Sequence, residues 1–110
     1  MIVISKNYTY KWNVKVSMPV APDTFEEHEF TAIFKRLGKS KIQELTEAEG
    51  ANDKDLAKAV LAGWDNVTDD AGAQVEFTPE NIEELLDIPM VASAVVIAFM
   101  ESVAGAKRKN

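Results

Sequence analysis

The stretch YTYKWNVKVSM, Tyr8–Met18, is followed after the turn-rich PVAPD by EEHEFTAIFKRL, Glu26–Leu37, and these two runs decide the fold. In the first, Tyr8, Tyr10, Trp12, Val14, Val16 and Met18 occupy every second position with polar residues between them. A period of two is that of a strand with one buried face. The second run repeats it, with His28, Phe30, Ala32 and Phe34 on one side and Glu27, Glu29, Thr31 and Lys35 on the other. The proline-containing connection makes antiparallel pairing the simplest arrangement. Two strands this aromatic on one face need a cover, which the rest of the chain must supply.

That cover reads as helical. Ser40 and Gln43 have capping-box spacing ahead of Ile42 and Leu45, predicting a first helix that frays near Gly50. A second starts at Asn52 as N-cap, carries Asp53 and Asp55 in its first turn, and sets Leu56, Ala59 and Val60 on one face. It is expected to end near Gly63 in the left-handed conformation, with Trp64 folded back on its last turns. Between Val67 and Val75, TDDAGAQ reads as a small hairpin or turn with Gly72 at positive φ. Thr78 is then an N-cap and Pro79 the first helical residue, with Phe77 and Ile82 spaced as a hydrophobic staple. The helix PENIEELLD divides into Ile82, Leu85 and Leu86 against Glu80, Glu83, Glu84 and Asp87. Pro89 stops it, and a last helix at another angle is expected to begin around Asp87 to Pro89.

The expected fold class is α+β, with N-terminal antiparallel β-strands packed against three or four short C-terminal α-helices. Residues 1–110 are read as one domain, strand-rich over 1–37 and mainly helical over 38–110, with a short hairpin or turn at 64–77.

Composition narrows the chemistry. Eighteen acidic and twelve basic residues leave a net charge of −6, which disfavours a nucleic-acid partner. The one dense basic run, Lys107, Arg108 and Lys109, suits the end of a helix. No cysteine is present, so neither a disulfide framework nor a thiolate metal site is available. The start MIVISKNYTYKW lacks a cleavage pattern and does not read as a signal peptide. The last apolar run, about eleven residues from Met90 to Met100, falls short of the ~20 that cross a bilayer, so no membrane partner is expected. His28 is the only histidine and is read as a half-buried packing residue of the strand. The acids from Asp65 to Glu76 lack calcium-loop spacing, since Val67 and Asp70 fall at its third and sixth positions. Neither a nucleophile turn nor a phosphate-cradling loop occurs. No catalytic residue, metal site or cofactor is expected, and the chain is read as no enzyme.

Two features point to protein contact. Met90, Val91, Val95, Phe99 and Met100, with Val96, Ile97 and Val103 nearby, bring more apolar surface than one core absorbs after the sheet, Trp64 and Phe77 have contributed. The first five are the candidate partner-binding residues. On this reading Val95→Asp or Phe99→Ser lowers self-association or client capture while the fold persists. Glu80, Glu83, Glu84 and Asp87 form a candidate acidic docking face, or a solvated helix side. Gly63, Trp64, Gly72, Phe77, Thr78, Pro79 and Pro89 carry structural roles.

The order Gly63-Trp64, Val67, Asp69, Gly72, Val75, Phe77-Thr78, Glu80-Asn81-Ile82, Leu85-Leu86, Ile88-Pro89, then an apolar helix and a Lys-Asn end, resembles the small tail assembly chaperones of long-tailed bacteriophages. The resemblance covers roughly Leu56 to Asn110. It implies an assembly factor of the infected or lysogenic bacterial cytoplasm that is absent from the mature virion. Its partners would be the tape measure protein and the tail tube protein, and it would often be a homo-oligomer. Two other readings stay open on the residues alone: a phage or prophage regulatory protein that sequesters a host factor through its acidic surface, and a small structural tail component.

Overall fold

β1, Thr9–Ala21, and β2, Thr24–Lys35, form a long antiparallel hairpin in a computed structural model that describes residues 1–5 and 7–105. The hairpin turns at Asp23, whose φ of 57° is within reach of aspartate in a tight turn. In its register Tyr10 opposes Phe34, Trp12 opposes Ala32, Val14 opposes Phe30 and Val16 opposes His28. The alternation read from the sequence therefore becomes one shared face. Val14, Val16, Phe30, Ala32 and Phe34 are buried on it. The long dimension of the molecule, 46 Å, approaches the length of a thirteen-residue strand at roughly 3.3 Å per residue.

Full burial ends at Val16 on β1 and at Phe30 on β2, Met18 is half-buried against the core, and the hairpin continues past them into solvent. His28, opposite the buried Val16, is exposed rather than half-buried. Its Nε2 lies 2.7 Å from Glu26 Oε1, a surface contact.

Behind the hairpin come α1, Lys39–Glu47, and α2, Asp53–Val60. Gly38 is the N-cap of α1 and no side chain caps it; Ser40 is already inside the helix, so the expected capping box is absent. Asn52 caps α2 as expected, its Oδ1 accepting from the Asp55 N–H at 2.9 Å. The buried residues of α2 are Ala57 and Val60.

The largest departure from expectation follows directly. The chain passes from α2 with no loop into a third strand, β3, Leu61–Asp65, which pairs antiparallel with β2 and completes a sheet of order β1-β2-β3. Gly63 is thus a strand residue opposite Ile33 and does not close a helix. A Cβ built on it would stand 3.2 Å from Ile33 Cδ1, so the missing side chain lets Ile33 lie across the strand. Trp64 likewise does not fold back on α2. It projects from β3 into the core, where its Nε1–H donates to Val75 O at 2.8 Å and its ring meets Phe77 edge-on at 4.9 Å.

Within the expected 64–77, Trp64 and Asp65 belong to β3 and a small hairpin spans Val67 to Val75, joined by the Thr68–Gln74 bridge and the Val75 N–H to Val67 O bond. Gly72 has φ 83°, and Asp69 Oδ1 accepts from the Ala71 and Ala73 N–H groups. This acid organises a turn. Thr78 caps α3, Pro79–Asp87, by accepting from the Asn81 N–H at 3.2 Å, and Pro79 opens the helix. Thr78→Ala should cost about 1 kcal/mol through loss of that cap, read as a lower thermal midpoint; an unchanged midpoint would place the helix start elsewhere.

Pro89 and Met90, the latter at φ 79°, turn the chain by 98° between α3 and α4, Val91–Ala104. The last helix therefore starts slightly later than expected. α4 packs across β1 and α2, with Phe99 edge-on to Phe34 at 5.3 Å. Val91, Val95, Ala98 and Phe99 lie inside the core. The α+β class is the one expected, with the third strand inside the part read as mainly helical. No single helix among the described residues is long and apolar enough to cross a membrane.

Candidate functional site

The alternation that builds β1 also leaves its N-terminal aromatics without full cover. Tyr8, Tyr10 and Trp12 follow one another on the helix-facing side, and between them, the start of α1 and the end of α4 lies an open groove of about 1010 Å³. Leu37, Ile42 and Val103 complete its apolar lining, and Arg36 and Lys39 stand in its wall. Trp12 is 39% exposed and Val103 46%. The aromatic floor is held in place. Tyr10 packs edge-on to Phe34 at 5.9 Å, and its hydroxyl lies 2.7 Å from Ser102 Oγ. Ser102 has one hydroxyl proton, which it gives to Phe99 O at 2.6 Å, so Tyr10 is the donor of that pair. The Arg36 guanidinium sits 4.9 Å above the Tyr8 ring.

A second groove, of about 880 Å³, runs on the other side of Trp12 between β1 and the flank of α4. Met90, Ala94, Ile97 and Glu101 follow at helical spacing along that flank. Opposite them are Lys11, Asn13, Lys15 and Ser17 of β1. The backbone explains why these residues line it. Arg36 N–H donates to Tyr8 O, which fixes the phase of the ladder, so even-numbered β1 residues turn their N–H and C=O toward β2. Odd-numbered residues from Thr9 to Ser17 turn theirs outward. β1 is an outer strand of the sheet, so this edge has no strand beside it among the described residues.

The candidate partner-binding residues divide sharply. Val91, Val95 and Phe99 are 1%, 0% and 2% exposed and belong to the core, so a partner cannot reach them in this fold. Met100 is half-buried, and Met90 alone of the five is largely exposed. The i, i+4, i+8 stripe of Val91, Val95 and Phe99 is the side of α4 that the sheet covers. Apolar residues of α4 left outside include Ile97 and Val103; beside the grooves stand Trp12 of β1 and Tyr8 just before it, while Val20 and Phe25 are exposed at the far end of the hairpin. A signal existed for Ile97, which falls off the cleanest stripe of a helix with a core on one side; Val103 continues that stripe and is exposed because it lies at the end of the helix. Trp12 had none, because nothing in the alternation says where the helical cover stops.

The acidic face is also altered. Glu83 Oε2 lies 2.6 Å from Lys58 Nζ and 3.3 Å from Lys54 Nζ, and Asp87 Oδ1 lies 3.7 Å from Lys54 Nζ. Hydrogen bonds from Lys58 and then Lys54 hold the Glu83 carboxyl below the usual carboxylate range, and the bond to Glu83 holds Lys54 above its ordinary value. Glu83 and Asp87 thus clasp α3 to α2, and of the four only Glu80 and Glu84 make no ion pair among the described residues. With its carboxylate pKa depressed, the contribution of Glu83 is complete above the ordinary carboxylate range and fades as pH falls through the lowered value. Asp65, in the acid-rich stretch, pairs with Lys11 at 3.1 Å across the sheet. Among the described residues no group of three or more histidines and acids is placed to hold a metal ion. The Lys107–Lys109 run lies outside the described residues.

The groove is thus apolar and partly aromatic, on a small acidic α+β body. The sequence model of one family, described as phage tail assembly chaperone, matches residues 1–110, and the chain belongs to that family. No curated protein and no solved structure matches it.

Proposed function

We propose that this protein is a non-enzymatic chaperone of the host cytoplasm that binds the tape measure protein, helps bring tail tube subunits to it, and is not retained in the mature virion. The observation that carries the reading is the groove in which Tyr8, Tyr10, Trp12, Leu37, Ile42 and Val103 line one open apolar surface. A long helical client that waits for its tube exposes apolar stripes, and a groove of this kind shields one by transient burial. Aromatic side chains suit it, since they offer large contact area at small entropic cost. The net charge of −6 keeps such a complex dispersed while the apolar surfaces are covered. No bond chemistry is required.

Co-expression with overlapping tape measure segments, followed by copurification, tests this. The expected result is a complex with at least one predominantly helical segment and no protein in purified virions. Recovery in virions would make it a structural component instead. Capture of a host nucleic-acid-binding protein, with no tape measure segment retained, would favour the regulatory alternative.

A further inference from the structure

The aromatic groove has the opposite charge to the molecule that carries it. The chain bears a net −6, yet no carboxylate lines this groove, and two cations, Arg36 and Lys39, do. The first turn of α1, which Lys39 opens, contains no acidic residue to offset them. Lys11, Lys54 and Lys58 lie within ion-pair distance of carboxylates, whereas Arg36 and Lys39 make no ion pair among the described residues. Arg36 is also held in place. Its backbone N–H donates to Tyr8 O, and its guanidinium lies 4.9 Å over the Tyr8 ring. Stacking occupies the face of a guanidinium and leaves its in-plane donors for a carboxylate.

The backbone of an occupant is constrained as well. Tyr8, Tyr10 and Trp12 turn their own backbone groups toward β2, so they offer the groove side chains and no strand to pair with. A segment buried there must satisfy its N–H and C=O groups internally, which a helix does. The lengths agree: Tyr8 to Trp12 covers about 13 Å at roughly 3.3 Å per residue, and two turns of helix cover about 11 Å.

We propose that the groove selects an acidic amphipathic helix, with two turns of apolar stripe laid along Tyr8, Tyr10 and Trp12 and flanking carboxylates that reach Arg36 and Lys39. Such selection rests on the groove being the client site, and it adds the chemistry of the segment taken. The same two cations act against basic segments, because a lysine beside the stripe would meet them with no carboxylate in the lining. The net charge of the molecule does not cancel this preference. At about 0.1 M salt, exposed charges farther apart than about 10 Å are largely screened, so the cations in the wall dominate over acids elsewhere.

Peptides of about fifteen residues, long enough to approach helicity, test the selection. They share one leucine stripe and differ only in the flanking positions, filled with glutamate, lysine or glutamine, and binding to the full chain is read by fluorescence anisotropy. At about 0.1 M salt the glutamate peptide should bind at least about tenfold more tightly than the lysine peptide, and the difference should shrink at about 1 M. In Arg36→Gln/Lys39→Gln the two affinities should converge, with melting close to that of the unaltered chain because both side chains are exposed. Trp12→Ala should weaken every peptide, which places them in the groove. Equal affinities for the glutamate and lysine peptides, weakened alike by Trp12→Ala, overturn the charge selection and leave the client groove standing. A preference that survives the double variant also overturns it, since the attraction then lies elsewhere. Binding of no peptide, or binding indifferent to Trp12→Ala, overturns the groove as client site and the selection with it.

Discussion

Val95→Asp will leave no cooperatively folded protein. Val95 is 0% exposed in the middle of α4, and the substitution exchanges its burial, about 1.5–3 kcal/mol, for a carboxyl group among apolar neighbours. That group must either carry a charge out of water or take up a proton and remain without a hydrogen-bond partner, a further cost of several kcal/mol. Domains of this size have only about 5–15 kcal/mol of stability to lose. Phe99→Ser acts by a different route to the same end. It removes the ring that meets Phe34 at 5.3 Å and opens a cavity between α4 and the sheet, at a cost of about 3–5 kcal/mol. Far-UV circular dichroism on heating is the measurement, and both variants should show no native transition or one shifted far downward. Melting like that of the unaltered chain would mean that α4 is not the element holding the sheet. This reverses the expectation that the fold survives either change, and the reason is geometric: the stripe that stands out in the sequence does so because it faces the core.

That reversal shows what was legible and what was not. The hairpin was readable because Tyr8–Met18 and His28–Phe34 alternate at period two, a pattern that helices do not produce. Asn52 and Thr78 were readable because caps act within three residues, so the residues that define them are neighbours in sequence. β3 was not readable. LAGWD is short and contains a glycine after a helical run, so it carries the marks of a helix end, and only pairing with β2, some thirty residues earlier, makes it a strand. The ion pairs of the acidic face were not readable for a related reason. Glu83 and Asp87 are solvated by sequence pattern, yet Lys54 and Lys58, on a different helix, reach them. The groove suffered most, since exposure of Trp12 and Val103 depends on where three separate elements stop covering a strand.

Val103→Asp, the same change eight residues further along α4, should have the opposite outcome to Val95→Asp. Val103 is 46% exposed near the end of the helix, so a carboxylate there remains in water and the thermal midpoint should stay close to that of the unaltered chain. Client capture should nevertheless fall by at least about tenfold, because a buried apolar contact in the groove becomes a charge that the complex must desolvate. Trp12→Ala should act in the same direction, since its ring stands at the rim between the two grooves and aromatic anchors carry a disproportionate share of binding energy. Titrating a captured tape measure segment against each variant, with melting curves recorded on the same samples, separates loss of binding from loss of fold. Undiminished capture by Val103→Asp would place the client away from the aromatic groove. A matched fall in stability would show instead that α4 depends on Val103 for packing, as it depends on Val95. If binding is lost from a molecule that melts as before, two stretches of one helical stripe have been assigned different work: Val95 and Phe99 keep the sheet covered, and Val103, at the helix end with Tyr8, Tyr10 and Trp12, meets the client.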